Sequence, residues 1–382
     1  MPDAQDTVRH LPMDPARWAG RDDRGESPLA LRWHQQVQPA AQWTPAQRGV
    51  VLQGFACDAG VRRNQGRPGA AQGPDAARRA LAQLAWHSAC PVFDAGDVVC
   101  EGDALEQAQA ALAAEVARWL DAGQGVLVLG GGHEVAWGTG QGIASHRAGK
   151  AAGGSSRRWG IINLDAHFDL RSAPRGSSGT PFAQIAADWT ARGWPFNYGV
   201  YGISRHANTR ALFDSAEHLG VHWVEDHALA PWHMRAQLAQ LAAHCAELDA
   251  IYLTVCLDVL PGSVAPGVSA PAAAGVSLEA VEALIETVAS SGKLRVAEIA
   301  ELSPPHDDGS RTARVAARLA ALLADGLARG LAAARTAPPG ALAGRLNGPE
   351  ATAPQCEGAQ PRSCPIHSRL PSGSSIRNSV IP

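Results

Sequence analysis

The 382-residue sequence holds no Cys-x-x-Cys pair, no basic stripe and nothing near the run of about 20 apolar residues that a membrane helix needs. Each absence excludes something. The seven cysteines, Cys57, Cys90, Cys100, Cys245, Cys256, Cys356 and Cys364, are odd in number and scattered. Neither a disulfide framework nor a zinc ribbon is expected from them. The N-terminal stretch carries Asp3, Asp6 and Asp14 among scattered apolar residues and lacks the core of a secretory signal. With 33 basic against 36 acidic residues and a net charge of -3, no phosphate-tracking surface is indicated, so nucleic acid is not an expected partner. The expectation is a cytoplasmic protein whose thiols are mostly reduced and inert.

From about residue 48, short apolar runs alternate with alanine-rich amphipathic stretches. The runs predict strands over 49–55, 125–129, 159–164, 198–203, 250–257 and 294–299. The stretches predict helices over 74–86, 104–120, 181–191, 209–219, 234–247, 278–290 and 312–335. This order implies an α/β fold: a single three-layer α/β/α domain over 41–336 with a mostly parallel sheet covered on both faces. Residues 1–40, punctuated by Trp18, Trp33 and His34, read as an arm packed onto that domain by its tryptophans. From 337 to 382 Pro, Gly, Ser, Arg and Gln dominate and the periodicity vanishes, which predicts a disordered tail. Cys356 and Cys364 lie eight apart in that tail with His367 nearby, and no metal role is expected of them.

The chemistry concentrates in Asn163-Leu-Asp165-Ala-His167-Phe-Asp169, at the end of an apolar run. Alternate residues of a strand point the same way, so Asp165, His167 and Asp169 can converge on one spot. Two carboxylates and an imidazole crowded together call for a cation among them. Gly130-Gly131-Gly132-His133 offers a second imidazole on backbone that glycine is expected to bend sharply. Polar groups follow four of the predicted strands: His133 and Glu134, Asp165 to Asp169, Asp258, and Glu301. In parallel sheets, ligands sit beyond the carboxyl ends of the strands, where these groups would lie. Mixed His and Asp donors suit manganese, iron, cobalt or zinc rather than calcium.

Further stretches carry a resemblance: Gly60-Val-Arg-Arg-Asn64-Gln-Gly-Arg67-Pro-Gly-Ala70 with Gly73-Pro74, Ala166-His-Phe-Asp169-Leu-Arg171, Ser178-Gly-Thr-Pro-Phe182, Ala265-Pro-Gly-Val-Ser-Ala-Pro271 and Glu301-Leu-Ser-Pro304. Together with the metal motifs the chain resembles the arginase, agmatinase and formimidoylglutamase superfamily, the formimidoylglutamase branch in particular, over roughly residues 15–335. The resemblance implies an arginase-like domain with two Mn(II) ions. It implies that His133 and Asp169 hold one, His167 and Asp258 hold the other, and Asp165 bridges both. The reaction implied is hydrolysis of the small molecule N-formimidoyl-L-glutamate to L-glutamate and formamide in histidine breakdown. Glu301 would face the cationic formimidoyl nitrogen and Asp258 would pass a proton to the departing amine. Arg171, Asn64 and Arg67 would clamp the substrate carboxylates or serve as structural anchors. Thr180 stands in the loop where arginase-type members carry a histidine, which suits a different substrate and argues against arginase itself. A homo-oligomer is expected by resemblance. The alternatives are a guanidino-compound ureohydrolase of the agmatinase or guanidinobutyrase kind, and a catalytically impaired relative.

One departure stands out. The family's second acidic motif is an Asp-x-Asp pair, and this chain reads Thr254-Val-Cys256-Leu-Asp258, with Cys256 where the bridging aspartate belongs. Manganese prefers oxygen, whereas zinc, cobalt or iron prefers sulfur. Three readings follow: a thiolate ligand with altered metal preference, a damaged site that holds one metal weakly, or a neutral thiol in a site that binds little metal. The second is favoured, because losing a bridging ligand loosens both ions. It predicts low manganese occupancy and low activity as isolated, both raised by Cys256→Asp. His206, His222, His227, His233 and His244 follow no ligand spacing and read as surface or satisfied helix residues. Asp307, Asp308 and Ser310 are candidate caps for the last helix, and Trp137 a packing residue.

Overall fold

Every residue of the runs 125–129, 159–164 and 250–256 is buried. Strands without a solvent face are what a parallel sheet covered on both sides requires. The computed structural model describes residues 6–88, 90–151 and 157–336. Its strands are β1 (Thr7–Leu11), β2 (Gln38–Pro39), β3 (Val50–Ala56), β4 (Val92–Glu101), β5 (Gly125–Leu129), β6 (Trp159–Leu164), β7 (Asn197–Ile203), β8 (His222–Glu225), β9 (Ala250–Cys256) and β10 (Leu294–Ala300). Its helices are α1 (Ala59–Arg63), α2 (Gly73–Leu81), α3 (Leu105–Asp121), α4 (Val135–Ala151), α5 (Pro181–Ala191), α6 (Arg210–His218), α7 (Met234–Glu247), α8 (Leu278–Ser290) and α9 (Arg311–Thr336).

The strands form one sheet in the order β1-β4-β3-β5-β10-β9-β6-β7-β8, with β2 beside β4. Only β1 runs antiparallel to its neighbour among the described strands. Alternation splits the core into two apolar layers. Val50 and Leu52 pack with Leu81 of α2, Leu241 of α7, Leu284 of α8 and Leu323 of α9. Val51 and Phe55 pack on the other side with Trp119 of α3, Ile143 of α4, Ile185 of α5 and Ala216 of α6. The expected three-layer α/β/α arrangement is therefore present.

Several elements differ from expectation. Strands β1, β2, β4 and β8 and the short helix α1 are not among the predicted elements. In β4, Asp94, Gly96 and Asp97 break the apolar run, and a register shift against β3 between Leu52 and Gly54 accommodates them. The helix expected over 74–86 ends at Leu81, because the next residues bond to the N-terminal segment instead. Leu84 accepts from the Trp33 amide at 3.0 Å, and the Trp86 amide donates to Leu31 at 2.8 Å. That segment buries both Trp18 and Trp33, and the Trp18 indole donates to Asp94 at 2.7 Å. At the other end, Asp307 caps α9 by accepting from the amides of Thr312 (2.9 Å) and Ala313 (3.0 Å). The segment 337–382, expected to be disordered, lies outside the described residues. No described helix is long and apolar enough to cross a membrane.

What this fold positions is the carboxyl edge of four adjacent strands. β5, β10, β9 and β6 are consecutive in the sheet, and their ends lead into His133, Glu301, Cys256 with Asp258, and Asp165. A crevice at this edge is where an open parallel sheet places its ligand.

Candidate metal centre

The loop after β5 is glycine for reasons of space. A Cβ on Gly131 would sit 1.7 Å from the Cys57 carbonyl oxygen, and one on Gly132 would sit 2.1 Å from Glu134 Oε2. None of Gly130, Gly131 and Gly132 has a positive φ, so close approach, and not the sharp bend expected from sequence, is what excludes side chains there. The turn delivers His133 into the interior at 1% exposure. Its backbone amide donates to Glu301 Oε1 at 2.9 Å, which locks the ends of β5 and β10 together. Glu301 holds φ at 72° and Asp169 at 50°. Both are left-handed conformations that non-glycine residues adopt at a cost, and both fall inside this site.

Asp165 is the hub. Its Oδ1 accepts from the His167 amide at 2.7 Å and its Oδ2 from the Asn163 side chain at 3.0 Å. Asn208 holds the following loop, donating to the Ala166 carbonyl (2.8 Å) and accepting from the Phe168 amide (3.1 Å). Around this hub the donor atoms form two trios, His133–Asp165–Cys256 and Asp165–His167–Asp258, each within 4.8 Å. Asp169 adds a carboxylate oxygen 3.0 Å from His133 Nδ1. All six metal candidates of the sequence are thus brought together.

Whether the donors suit divalent cations is decided by their unmet needs. His133 Nδ1 stands 2.9 Å from Asp165 and 3.0 Å from Asp169, yet neither approach is aligned as a hydrogen bond. Asp258 Oδ1 and Glu301 Oε2 are also buried without partners. Burial lowers the pKa of both imidazoles, but neighbouring carboxylates outweigh it and push both well above the ordinary range: Asp165 and Asp169 at His133, Asp258 and Asp165 at His167. Burial and the charge of Asp165 raise Asp169 to about 6. Burial, Glu134 and Asp258 raise Glu301 to about 8. This is a pocket of negative charge that attracts cations, and its nitrogen, oxygen and sulfur donors fit them.

Residues 48–324 match the arginase family. The chain belongs to the arginase family. It is 53% identical over 308 residues to the formimidoylglutamase of Ralstonia nicotianae, covering 81% of this chain and 94% of that protein. To the formimidoylglutamase of Aeromonas hydrophila it is 53% identical over 307 residues, 80% of this chain and 96% of that one. Among solved structures, Trypanosoma cruzi formiminoglutamase with two Mn2+ ions superposes with a TM-score of 0.64 at 26% identity, covering 76% of this chain and 96% of that one. The formimidoylglutamase of Bacillus subtilis shares the fold with a TM-score of 0.68 at 21% identity, over 81% and 95% of the two chains.

Behind the arginase-family donors lies a brace that sequence reasoning missed. Glu298, buried in β10, accepts from the hydroxyls of Tyr252 (2.7 Å), Thr254 (3.0 Å) and Thr139. Thr254 has spent its one proton on Glu298, so at 3.1 Å it accepts from His133 Nε2. This leaves Nδ1 as the ligand nitrogen of the neutral ring. The signal available in the sequence was a lone glutamate inside the apolar run of β10.

Asn64, Arg67 and Arg171 line a cavity of about 320 Å³ together with His133, His167, Asp169, Cys256, Asp258 and Glu301. Among the described residues the Arg171 guanidinium has no ion pair or hydrogen bond, so its charge is open to a ligand. Arg67 instead donates to the carbonyls of Ser269 (3.0 Å) and Val268 (2.5 Å), tying two loops together. Thr180 departs from the substrate-contact expectation. It is buried below the cavity wall, and its hydroxyl serves the turn, accepting from the Ser177 amide (2.9 Å) and bonding Gln184 (2.8 Å).

Proposed function

We propose that this arginase-family protein hydrolyses N-formimidoyl-L-glutamate to L-glutamate and formamide. The observation that carries the reading is the convergence of His133, Asp165, His167, Asp169 and Asp258 from three separate segments around one carboxylate, with the buried His133 Nδ1 left unpartnered. The naming of the relatives supports the substrate.

In this reading, His133, Asp165 and Asp169 hold one divalent cation, and Asp165, His167 and Asp258 hold the other; the Trypanosoma cruzi relative carries two Mn2+ ions. When bound, the pair supplies Lewis acidity that lowers the pKa of water and makes hydroxide available near neutral pH. The protein's own groups do the rest. Arg171 pairs with a substrate carboxylate, and Asn64, beside it on the cavity wall, donates to the substrate. Glu301, through its unpartnered Oε2, accepts an N–H of the cationic formimidoyl group. Asp258, through its unpartnered Oδ1, takes the proton released as water adds to the formimidoyl carbon. The same carboxylic acid returns it to the glutamate nitrogen as the C–N bond breaks. The five cysteines among the described residues are free thiols, which fits a reducing, cytoplasmic setting.

The test is to incubate the protein and divalent metal with formimidoylglutamate, and separately with agmatine and 4-guanidinobutyrate. Formamide and glutamate released in equal amounts support the reading. Urea from a guanidino compound, with formimidoylglutamate untouched, would overturn it.

A further inference from the structure

The two donor trios are not equivalent. One consists of nitrogen and oxygen only: Asp165, His167 and Asp258. The other contains sulfur: His133, Asp165 and Cys256. Cys256 ends β9 at 2% exposure, two residues after Thr254 and on the same face of the strand. That one strand therefore supplies both the thiol and the hydroxyl that engages His133 Nε2, which leaves Nδ1 as the ring nitrogen free to bind a cation. His133 Nδ1 is itself buried and unpartnered. A nitrogen, a sulfur and a shared carboxylate thus face one point, while the second point is lined by harder donors.

We propose that the two positions take chemically different metals: a sulfur-tolerant ion such as zinc or cobalt(II) on His133, Asp165 and Cys256, and an oxygen-preferring ion such as manganese on Asp165, His167 and Asp258. The inference rests on the two-cation reading above and deepens it. Thiolate donors select zinc, cobalt and iron, and manganese stands lowest in the general affinity order. In this account the thiol is a working ligand, and the low manganese occupancy expected from the sequence follows from one position preferring another metal. Binding breaks the S–H bond, forms the sulfur–metal bond and releases the proton to solvent. Burial and the charges of Asp165, Asp258 and Glu301 push the thiol pKa up.

The experiment is a cobalt(II) titration of the metal-free full chain, followed by optical absorption, with a parallel loading from an equimolar zinc and manganese mixture. The expected result is a thiolate-to-cobalt charge-transfer band that grows to one equivalent and stops, while visible cobalt absorption grows to two. In the mixture the sulfur position should take zinc, so that no more than one manganese loads per chain. In Cys256→Ser the band is lost, and in Cys256→Asp the mixed loading shifts toward two manganese ions. Binding of two cobalt ions without the band, or two manganese ions in the unsubstituted chain, overturns this inference and leaves the two-cation reading standing. Failure to bind cobalt, zinc or manganese at all overturns both.

Discussion

Two clusters of buried carboxylates sit in this sheet, and they are completed in opposite ways. On the β4 side, Asp94 and Asp97 face Arg78 and Arg17. All three guanidinium nitrogens of Arg78 donate, with Asp94 at 2.9 Å from both Nε and Nη2 and Asp97 at 2.6 Å from Nη1. Arg17 reaches the remaining oxygen of Asp97. A Cβ on Gly54 would lie 1.7 Å from Asp97 Oδ1, so a glycine is needed to seat the cluster. On the β6 and β9 side, Asp165, Asp169 and Asp258 have imidazoles and no guanidinium or ammonium as counter-charge, and Asp258 Oδ1 and His133 Nδ1 are buried without partners. The first cluster carries its own counter-charge. The second leaves that part to a ligand. Buried charge alone therefore does not mark a functional site; buried charge whose partners are missing from the chain does.

The difference can be broken at either end. The largest effect should come from Arg78→Met, which strands Asp94 and Asp97 and should cost about 3–5 kcal/mol of folding stability. Chemical denaturation checks this, and metal affinity of the folded fraction should stay unchanged. A variant as stable as the parent would mean that the first cluster is not the closed pair described. Glu298→Gln should act on the open cluster at a distance, by loosening Thr254 and so His133. Competition with a chelator should register about a 10- to 100-fold loss of metal affinity. If affinity holds while stability falls, the brace is structural only.

Arg171→Gln should raise KM about tenfold and leave kcat within a few-fold, as expected for a group that binds the substrate equally in ground and transition states. Steady-state kinetics separates the two; a loss confined to kcat would give Arg171 a different role. The smallest effect concerns His244, a half-buried imidazole on α7. Burial and the neighbouring His222 hold the His244 pKa below 6.5. The unfolded chain then binds the proton more readily, so the stabilising contribution is complete above pH 6.5 and is lost as pH falls through that value. His244→Gln should flatten this part of the stability profile by less than about 1 kcal/mol. Thermal unfolding at pH 5.5 and 7.5 measures it, and an unchanged slope would remove His244 from the account.

Much of the open cluster was legible because its donors lie close along the chain. Asp165, His167 and Asp169 alternate within five residues, and Cys256 and Asp258 within three. The strand ends that carry them are apolar runs with clear polar stops. The closed cluster was invisible for the opposite reason. Asp94 and Asp97 interrupt the alternation of β4, and their partners Arg78 and Arg17 come from other segments. Glu298 and Thr254 were missed likewise, since a hydrogen bond between adjacent strands leaves no spacing in the sequence. Thr180 reads as a pocket residue from its place in the loop, yet loop position does not say which way a hydroxyl turns. Here it turns into the first turn of α5.

The central claim is that Asp165 is shared by two cations, and the direct measurement is metal stoichiometry by elemental analysis after loading and dialysis, in the parent and in Asp165→Asn. The account predicts two divalent ions per chain in the parent and the loss of both together in the variant. Two ions retained by Asp165→Asn, or none held by the parent, would contradict it.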